Sequence, residues 1–378
     1  MWWRILTRND FWCCSSWFLV LGAVVEETTV QKPTTLQHYS TTAQKNNMKK
    51  IITLLLLIFF QCALIFAQDN ATTIALIGCH RQKKPAPVLS YFADEIKPQY
   101  CVWLGDNVYA DTQTNAQHIL KQLNKLAKKD GFQTLKENSK FYVTWDDHDL
   151  GFNNAGGKYP LKEESKAIHR TFWELEEEFS AEQSGVYYAG IEEQANGKKI
   201  QFIMLDGRYN RVKKGENADA LGEAQWEWLK TELEKEADLR FIVSGYQVLL
   251  DKPTKWESWI KLGNSRERLF DLIKSTQAKG VVFLAGDQHH AEILKIEKAL
   301  GYDAYEIMAS GINQRPITID KPNNRVAGPD RTLHSAPMVT VYWEGKDDLA
   351  PHLHFVLTDV ETKKITLEYR IFLSDVGL

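Results

Sequence analysis

Cysteine is scarce in this sequence, with 5 residues among 378, and the count is odd. So few cysteines exclude a small secreted scaffold that depends on a disulfide framework. An excess of charge of one sign is also missing, because 46 Lys and Arg stand against 49 Asp and Glu, for a net charge of -3. This balance excludes a global basic field for nucleic acid and an acidic disordered tail. With 44% hydrophobic residues, the chain can form one large core or two modest ones.

The N-terminal part carries a targeting pattern. Residues 48–67 begin with Met-Lys-Lys, continue as an apolar run and end at Ala67, which is typical of a signal peptide. A membrane anchor is the alternative, but the apolar run is short for a span and lacks a basic flank on its far side. Residues 1–47 show no consistent periodicity, so we interpret them as an upstream leader outside the fold. We therefore expect an exported protein, periplasmic or extracellular, with no stable membrane span after cleavage.

From residue 72 to residue 378, short apolar runs alternate with stretches of helical periodicity. The runs that indicate buried strands are TTIALIGC, QYCVWLGDNVYAD, KFYVTWDDHD, LRFIVSGYQVLL and KGVVFLAGDQHHAEI. Helical spacing is expected over 118–138, 161–179 and 221–237. Residues 185–211 indicate a hairpin that turns at NGKK, and the C-terminal runs alternate as antiparallel strands do. The pattern predicts an α/β domain, with 311–337 as a long loop that forms a rim over a site.

Potential metal ligands follow one strand after another. They are Cys79 with His80, Asp106 with Tyr109, Asp147 with His148, and Asp287 with His289 and His290. Because the carboxyl ends of neighbouring strands meet at one edge of an α/β sheet, we expect these side chains to form one ring. Carboxylates and phenolates suit hard cations, whereas imidazole and thiolate suit iron or zinc. Two ions that share a carboxylate would hold a phosphate and activate a water for attack.

Each residue taken alone has a simpler interpretation. Cys79 alone is a small buried hydrophobe, or it pairs with Cys101 in a disulfide. Arg208, which follows the apolar run IQFIML, offers a guanidinium fork that fits phosphate oxygens, but a surface ion pair is the alternative. The occurrence of donors at four strand ends favours a metal site over these separate interpretations.

Three sequence blocks resemble those of the calcineurin-like metallophosphoesterases. GDNVYAD at 105–111 resembles the GDxxY block of purple acid phosphatases, and WDDHD at 145–149 resembles a variant of their GNH[ED] block. GDQHH at 286–290 resembles their GHxH block, with Asp in place of the first His. Together with LDGRYNR and LGEAQWEWL, the set is similar to the PhoD-like alkaline phosphatase D family. The resemblance implies a four-layer αββα sandwich of two mixed sheets.

The resemblance also implies a role for each residue. An Fe(III) ion would be held by Cys79, Asp106, Tyr109 and His289. Asp106 would bridge to a Ca(II) site completed by Asp147 and Asp287, with Asn153 or Asn154 as a further candidate, and other divalent metals are alternatives. The histidine that contacts the reacting phosphate would be His148, oriented by Asp149.

These implications predict an exported metal-dependent phosphoesterase that hydrolyses phosphate mono- or diesters with a metal-activated water. A phospholipase or nucleotide phosphodiesterase specificity on the same site is an alternative, which the loop at 311–337 would decide. A second alternative is a non-catalytic secreted binding protein on a phosphatase fold. The expected partner is a phosphate ester, and nucleic acid would enter only as a substrate.

Overall fold

A computed structural model of the protein describes residues 71–316 and 318–378. The leader predicted over 1–47 and the signal peptide predicted over 48–67 lie outside the described residues. Within the described ranges, no helix combines the length and the apolar composition that a membrane crossing requires.

The described part of the chain contains thirteen strands and seven α-helices. The strands are β1 (Ala71–Ile77), β2 (Tyr100–Leu104), β3 (Lys140–Thr144), β4 (Tyr188–Glu193), β5 (Lys199–Met204), β6 (Leu239–Ser244), β7 (Val281–Ala285), β8 (Ala291–Ile296), β9 (Ala304–Ala309), β10 (Arg325–Asp330), β11 (Ser335–Tyr342), β12 (His352–Asp359) and β13 (Ile365–Phe372). The helices are α1 (Pro87–Ser90), continued by a π-helix (Tyr91–Ile96), then α2 (Gln117–Leu126), α3 (Phe132–Asn138), α4 (Asp147–Leu150), α5 (Lys162–Phe172), α6 (Glu223–Leu233) and α7 (Ser265–Ser275). Short 3-10 turns follow at Trp259–Lys261 and Leu373–Val376.

The strands form two mixed sheets. The first has the order β13-β12-β11-β1-β2-β3, and the second has the order β10-β8-β9-β7-β6-β5-β4. In the first sheet β1, β2 and β3 run parallel, and β11 pairs antiparallel with β1. In the second sheet β5, β6, β7 and β9 run parallel. Parallel strands place their carboxyl ends at a common edge, so each sheet has one edge where the residues after these strands collect.

Alternating side chains give each sheet two packed faces. In β6, Phe241 and Val243 belong to the larger core, which includes residues of both sheets, whereas Ile242 packs in a second core with α6 and α7. Aromatic side chains join the two sheets, because the ring of Tyr142 in β3 stacks on that of Phe202 in β5 with centroids 4.2 Å apart. Full burial of each large apolar side chain contributes about 1.5–3 kcal/mol. The result is the predicted four-layer sandwich.

Two glycines allow the strand ends of the two sheets to approach each other. Gly245 follows β6 and Gly286 follows β7. A Cβ atom at Gly286 would lie 2.7 Å from the carbonyl oxygen of Leu104, the last residue of β2 in the other sheet. A Cβ atom at Gly245 would lie 2.5 Å from Oδ1 of Asp146, which follows β3. Since real Cβ atoms do not approach so closely, glycine is required where the residues after β2, β3, β6 and β7 meet.

The elements differ from the sequence predictions at several boundaries. The helix predicted over 118–138 divides into α2 and α3 at Gly131, whose φ of 81° is left-handed and whose Cβ would lie 2.6 Å from the Leu89 backbone. The helix predicted over 161–179 ends at Phe172. The strand predicted through WDDHD ends at Thr144, and α4 follows it. Aspartate is depleted in strands, so the apolar part alone forms the strand.

Other predictions are confirmed. Residues 185–211 form the β4–β5 hairpin, with Glu193 paired to Lys199 across the predicted turn. The strands β11, β12 and β13 are antiparallel neighbours. The disulfide that the sequence left open does not form, because Cys79 and Cys101 are both free and buried. The segment at 311–337 is not wholly irregular, since it contains β10 and the start of β11.

Glu306 gives the fold a pH dependence that can be measured. It is fully buried in β9 and accepts hydrogen bonds from the backbone N–H groups of Val248 at 2.6 Å and Leu249 at 3.1 Å. Burial raises its pKa from 4.5 to about 7. A raised pKa in the folded state favours the protonated carboxyl, so its stabilisation is present at low pH and is lost as pH rises through about 7.

We expect Glu306→Gln to remove this loss. Between about pH 5 and about pH 8, the free energy of unfolding of the unmodified protein should fall by about 2–3 kcal/mol relative to the variant. Urea unfolding of both proteins across this range measures the difference. Parallel pH profiles of the two proteins would show that Glu306 does not titrate in the folded state over this range.

Candidate metal centre

Four of the predicted ligands have left-handed backbone conformations. The φ angles are 51° for Cys79, 52° for Asp106, 74° for Asp287 and 57° for His289. For residues other than glycine this conformation costs roughly 1–2 kcal/mol, so it persists only where the surrounding structure imposes it. These residues stand directly after β1, β2 and β7. The recurrence of strain at adjoining strand ends marks this edge of the sandwich as a candidate site.

A first cluster of donor atoms lies where β1, β2 and β7 end. The Tyr109 hydroxyl lies 2.9 Å from Asp106 Oδ2 and 3.0 Å from His289 Nε2. The Cys79 sulfur lies 3.8 Å from the same Asp106 oxygen. The ligand atoms of Cys79, Asp106 and His289 all lie within 4.8 Å of one another, as donors to one ion would. The structure therefore brings together the four residues that the family resemblance implies as Fe(III) ligands.

A second cluster shares Asp106 with the first. The side chains of Asp106, Asp147 and His148 place one ligand atom each within 4.8 Å of the others. Asp147 accepts a hydrogen bond from the backbone N–H of Asn154. Asp287 lines the same cavity, and burial raises its pKa well above the ordinary value, with further increases from Asp146 and Asp147. Asp106 is therefore common to both clusters, while Asp147 belongs to the second and Asp287 lines the cavity beside them.

The electrostatics of the two clusters fit cations. Burial raises the pKa of Asp106 well above its ordinary value, and four carboxylates raise it further: Asp147, Asp146, Asp149 and Asp287. Burial, followed by the charge of Asp106, also raises the pKa values of Cys79 and Tyr109. Burial lowers the pKa of His289 to about 4, which leaves a neutral imidazole able to bind metal. So many anionic donors can ionise together at neutral pH only around positive charge, and the donor set fits a metal centre.

Two of the predicted donors lie outside the ring. His80 is buried, and its Nδ1 lies 3.2 Å from the carbonyl oxygen of Asn107. His290 is buried beside Glu292, with 3.4 Å between Nε2 and Oε2. Both histidines support the loops that carry the ligands.

His148 is paired with Asp111, at 2.6 Å between Nδ1 and Oδ1. The sequence predicts that Asp149 orients His148, and the structure contradicts this. Asp149 is buried beneath the site, where its carboxylate accepts hydrogen bonds from the backbone N–H groups of Asn107 and Val108, both at 3.1 Å. Asp149 therefore fixes the loop after β2. With Nδ1 held by Asp111, Nε2 is the remaining nitrogen through which His148 can give or take a proton.

Arg208 has a structural role that the sequence did not predict. Its side chain is fully buried, with Nη2 at 2.8 Å from Asp146 Oδ2, Nε bonded to Asp146 Oδ1, and Nη1 at 2.6 Å from Glu257 Oε2. Every guanidinium nitrogen is thus bonded inside the protein. Both the predicted phosphate contact and the alternative surface ion pair are contradicted. Arg208 instead positions Asp146, the neighbour of Asp147.

The start of the predicted loop at 311–337 supports the ligands. Gln314 Nε2 donates to the Cys79 carbonyl oxygen at 3.2 Å, and Gln314 Oε1 accepts from Arg81 Nε at 3.1 Å. Asn313 Oδ1 accepts from the Arg81 backbone N–H at 2.9 Å. These contacts hold the residues after β1 against the loop, and the prediction of a rim over the site agrees with them.

A cavity of about 500 Å³ opens over the two clusters. Its walls carry six predicted site residues: Asp106, Tyr109, Asp147, His148, Asp287 and His289. The candidates Asn153 and Asn154 also line it, as does Trp256. Four cationic side chains line it too: Arg81, Lys213, Lys255 and Lys261. A concave site with anionic donors at its base and cations around it suits a metal-bound anionic ligand.

The fold of this chain is similar to that of known phosphatases. The structure of PhoD has a TM-score of 0.59 at 16% identity, over 81% of this chain and 70% of that one. A purple acid phosphatase from yellow lupin (Lupinus luteus) seeds has a TM-score of 0.58 at 10% identity, and the match covers 82% of this chain and 56% of the lupin chain. GAP50 of Plasmodium has a TM-score of 0.51 at 12% identity, and the match covers 80% of this chain and 89% of the GAP50 chain. At these identities the likeness establishes the fold alone.

The sequence itself matches a family model. No curated protein matches the chain significantly. The model for PhoD-like phosphatases matches residues 75–348. Because this match spans well over half of the chain, the protein belongs to the PhoD-like phosphatase family.

Proposed function

We propose that the protein is an exported, metal-dependent phosphoesterase that cleaves phosphate mono- or diesters. Membership of the PhoD-like family supports phosphoester hydrolysis. The observation that carries the metal dependence is the meeting of two donor clusters at Asp106. Export rests on the signal-peptide pattern at 48–67, and sequencing the N-terminus of the exported protein tests it, since an intact start would contradict cleavage.

The donor chemistry supports a mixed pair of metals. Cys79, Asp106, Tyr109 and His289 supply the thiolate, carboxylate, phenolate and imidazole that suit Fe(III). Asp106, Asp147 and Asp287 supply the all-oxygen set that suits Ca(II). When bound, such a pair neutralises the charge of the phosphate and makes a water molecule more acidic.

The chain's own residues bind the ester and move the proton. Arg81 and the lysines around the cavity attract the anionic substrate. His148, held through Nδ1 by Asp111, presents Nε2 to give a proton to the departing alcohol. The buried Asp149 and Arg208 hold the loops after β2 and β3, so that the reacting groups keep their positions.

Hydrolysis of bis-p-nitrophenyl phosphate by the full chain tests the proposal, beside the monoester and with and without a calcium chelator. We expect diester cleavage that is lost on chelation and restored by calcium. If Tyr109 binds Fe(III) as tyrosinate, the protein would be coloured, and we expect a visible absorption band. The variant Tyr109→Phe should lose this band, whereas the control Tyr91→Phe, in the outer helical layer, should keep it. A colourless, iron-free but active enzyme would contradict the iron assignment alone.

The Asp111–His148 pair predicts a selective effect on turnover. We expect Asp111→Asn to lower kcat by about 10-fold, because asparagine keeps the shape of aspartate but stabilises a protonated imidazole less. KM should change by less than about twofold, since Asp111 is not among the residues that line the cavity. Steady-state kinetics with the diester measure both constants. The control is Asp94→Asn, an exposed residue of the π-helix, and an Asp111 variant that behaves like this control would refute the pairing.

A non-catalytic binding protein is the second candidate, because GAP50, which is similar in fold, is described as an anchor in the inner membrane complex of Plasmodium. A fold does not determine function. Here Cys79, Asp106, Asp287 and His289 all have left-handed backbone conformations at one site. A binding role without catalysis does not require this strain. If neither ester is cleaved by protein with metals bound, the binding protein becomes the better description.

A further inference from the structure

A second cavity, of about 570 Å³, adjoins the metal cavity. It is a groove between the chain segments 152–162 and 209–214, and we call it the side groove. Asn154 and Lys213 line both cavities, so the side groove continues from the place where the ester is bound. A substrate that extends past its reacting phosphate in this direction enters the side groove.

The side groove is cationic. Its lining includes five basic residues and no acidic one among the described residues: Lys158, Lys162, Arg211, Lys213 and Lys214. Arg211 and Lys213 already have an acidic partner, because each lies 2.8 Å from Oε1 of Glu257. Lys158 and Lys214 are exposed, and neither has an ion-pair or hydrogen-bond partner in the described part of the chain. Two uncommitted positive charges thus face the same space.

The same groove has an apolar and aromatic side. Phe152, Tyr159, Pro160, Tyr209 and Val212 line it. The Nζ atom of Lys162 lies 4.1 Å from the centre of the Tyr209 ring. Val212 is 42% exposed, so its side chain offers a surface for an apolar group. A ligand that matches both sides carries an anionic group and a ring or other apolar body.

The groove wall is fixed before any ligand binds. A Cβ atom at Gly157 would lie 2.8 Å from the Arg211 carbonyl oxygen, so the two segments pack backbone against backbone. Arg211 Nη2 donates to the carbonyl oxygens of Asn154 at 3.1 Å and Ala155 at 3.0 Å. A preformed wall reduces the ordering cost of binding.

We propose that the side groove binds the organic half of the substrate and selects esters in which this half carries a second phosphate on a ring-bearing body. This proposal rests on the proposed function, because it places the first phosphate at the metal centre. Lys158 and Lys214 recognise the second phosphate, and the exposed apolar side chains of Pro160 and Val212 receive the ring.

Two ligands that differ by one phosphate test the proposal. Thymidine 3′,5′-bisphosphate and thymidine 5′-phosphate are titrated calorimetrically into the metal-loaded full chain, and their 5′-p-nitrophenyl esters serve as substrates. The variant is Lys158→Ala with Lys214→Ala. The charge-matched control is Lys279→Ala with Lys364→Ala. Both lysines are exposed, and their side chains have no partner among the described residues. Lys279 precedes β7, at the end of this strand opposite the metal centre.

We expect the unmodified protein to bind the bisphosphate more tightly than the monophosphate. The groove variant should lose about 3- to 10-fold in affinity for the bisphosphate and change by less than about twofold for the monophosphate. KM of the two esters should follow the same pattern, and the control variant should leave both unchanged. Equal affinities for the two ligands, or a loss that both ligands or both variants share, would overturn the proposal.

The same experiments distinguish failure of the proposed phosphoesterase function from failure of the side-groove proposal. If the unmodified protein does not cleave bis-p-nitrophenyl phosphate but still prefers the bisphosphate through Lys158 and Lys214, the phosphoesterase proposal fails and the side groove stands. If it cleaves the diester but shows no such preference, the side-groove proposal alone is wrong.

Discussion

Replacing Asp106 with asparagine is expected to lower kcat/KM for bis-p-nitrophenyl phosphate by about a thousandfold, which corresponds to about 4 kcal/mol. Asp106 belongs to both donor clusters of the described residues, so its loss affects both metals at once. The amide of asparagine keeps the size of the side chain but carries no charge to hold a cation. Kinetics and metal content measured on the same protein preparation test this, and we expect both to fall together.

The stability of the metal-free variant shows whether activity is lost through loss of the metals or through unfolding of the protein. Burial and four neighbouring carboxylates raise the pKa of Asp106, so its ionised form is unfavourable in the folded protein without metal. Asp106→Asn should therefore unfold in chelator at a higher urea concentration than the unmodified protein. Asp130→Asn, at an exposed position, should change neither activity nor stability. Full activity and metal content in Asp106→Asn, or a less stable metal-free variant, would contradict the bridging role.

The ligand positions could be predicted because two simple rules combine at them. Apolar runs of strand length identify β1, β2, β3 and β7, and the polar residue after each run has only one edge of the sheet to occupy. Cys79, Asp106 and His289 were found in this way and do lie together. The sequence blocks that resemble a known family then implied a metal-binding or catalytic role for each position.

The support of the ligands could not be predicted, because it depends on contacts between distant segments. No local pattern in the sequence places Asp111 beside His148, 37 positions away. In the sequence, Asp146, Asp147 and Asp149 form one acidic cluster within WDDHD. In the structure one of the three, Asp146, meets Arg208, 62 positions away.

The missed elements have a similar explanation. The strand β9 is fully buried and carries Glu306, so it lacks the alternation by which strands are recognised. The helix α7 reads SRERLFDLIKS, whose charged first turn masks a narrow stripe of Leu269 and Ile273. The strand β10 holds glycine, proline and aspartate, which are depleted in strands, and it lies at the edge of its sheet.

Arg208 is the centre of a buried ion network that fixes the loop before the second donor cluster. The side chains of Arg208 and Asp146 are 0% and 1% exposed, and Glu257 bonds Arg208, Arg211 and Lys213. Burial raises the pKa of Asp146 to about 6 although Arg208 opposes the shift. Burial acts in the same direction on Glu257, but Arg208 and Arg211 bring its pKa down to about 2. Asp146 therefore depends on the Arg208 guanidinium, whereas Glu257 also pairs with Arg211 and Lys213.

We expect Arg208→Met to lower the free energy of unfolding by about 3–5 kcal/mol, because it leaves the buried carboxylate of Asp146 without its cation. Urea unfolding measures the loss, and Lys274→Met, which breaks an exposed pair with Asp271, should cost no more than about 1 kcal/mol. Adding Asp146→Asn to Arg208→Met should restore part of the loss, because one buried charge disappears. If Arg208→Met costs no more than the exposed control, Asp146 is neutral in the folded protein. The positive partner of the acidic cluster would then be the metals alone.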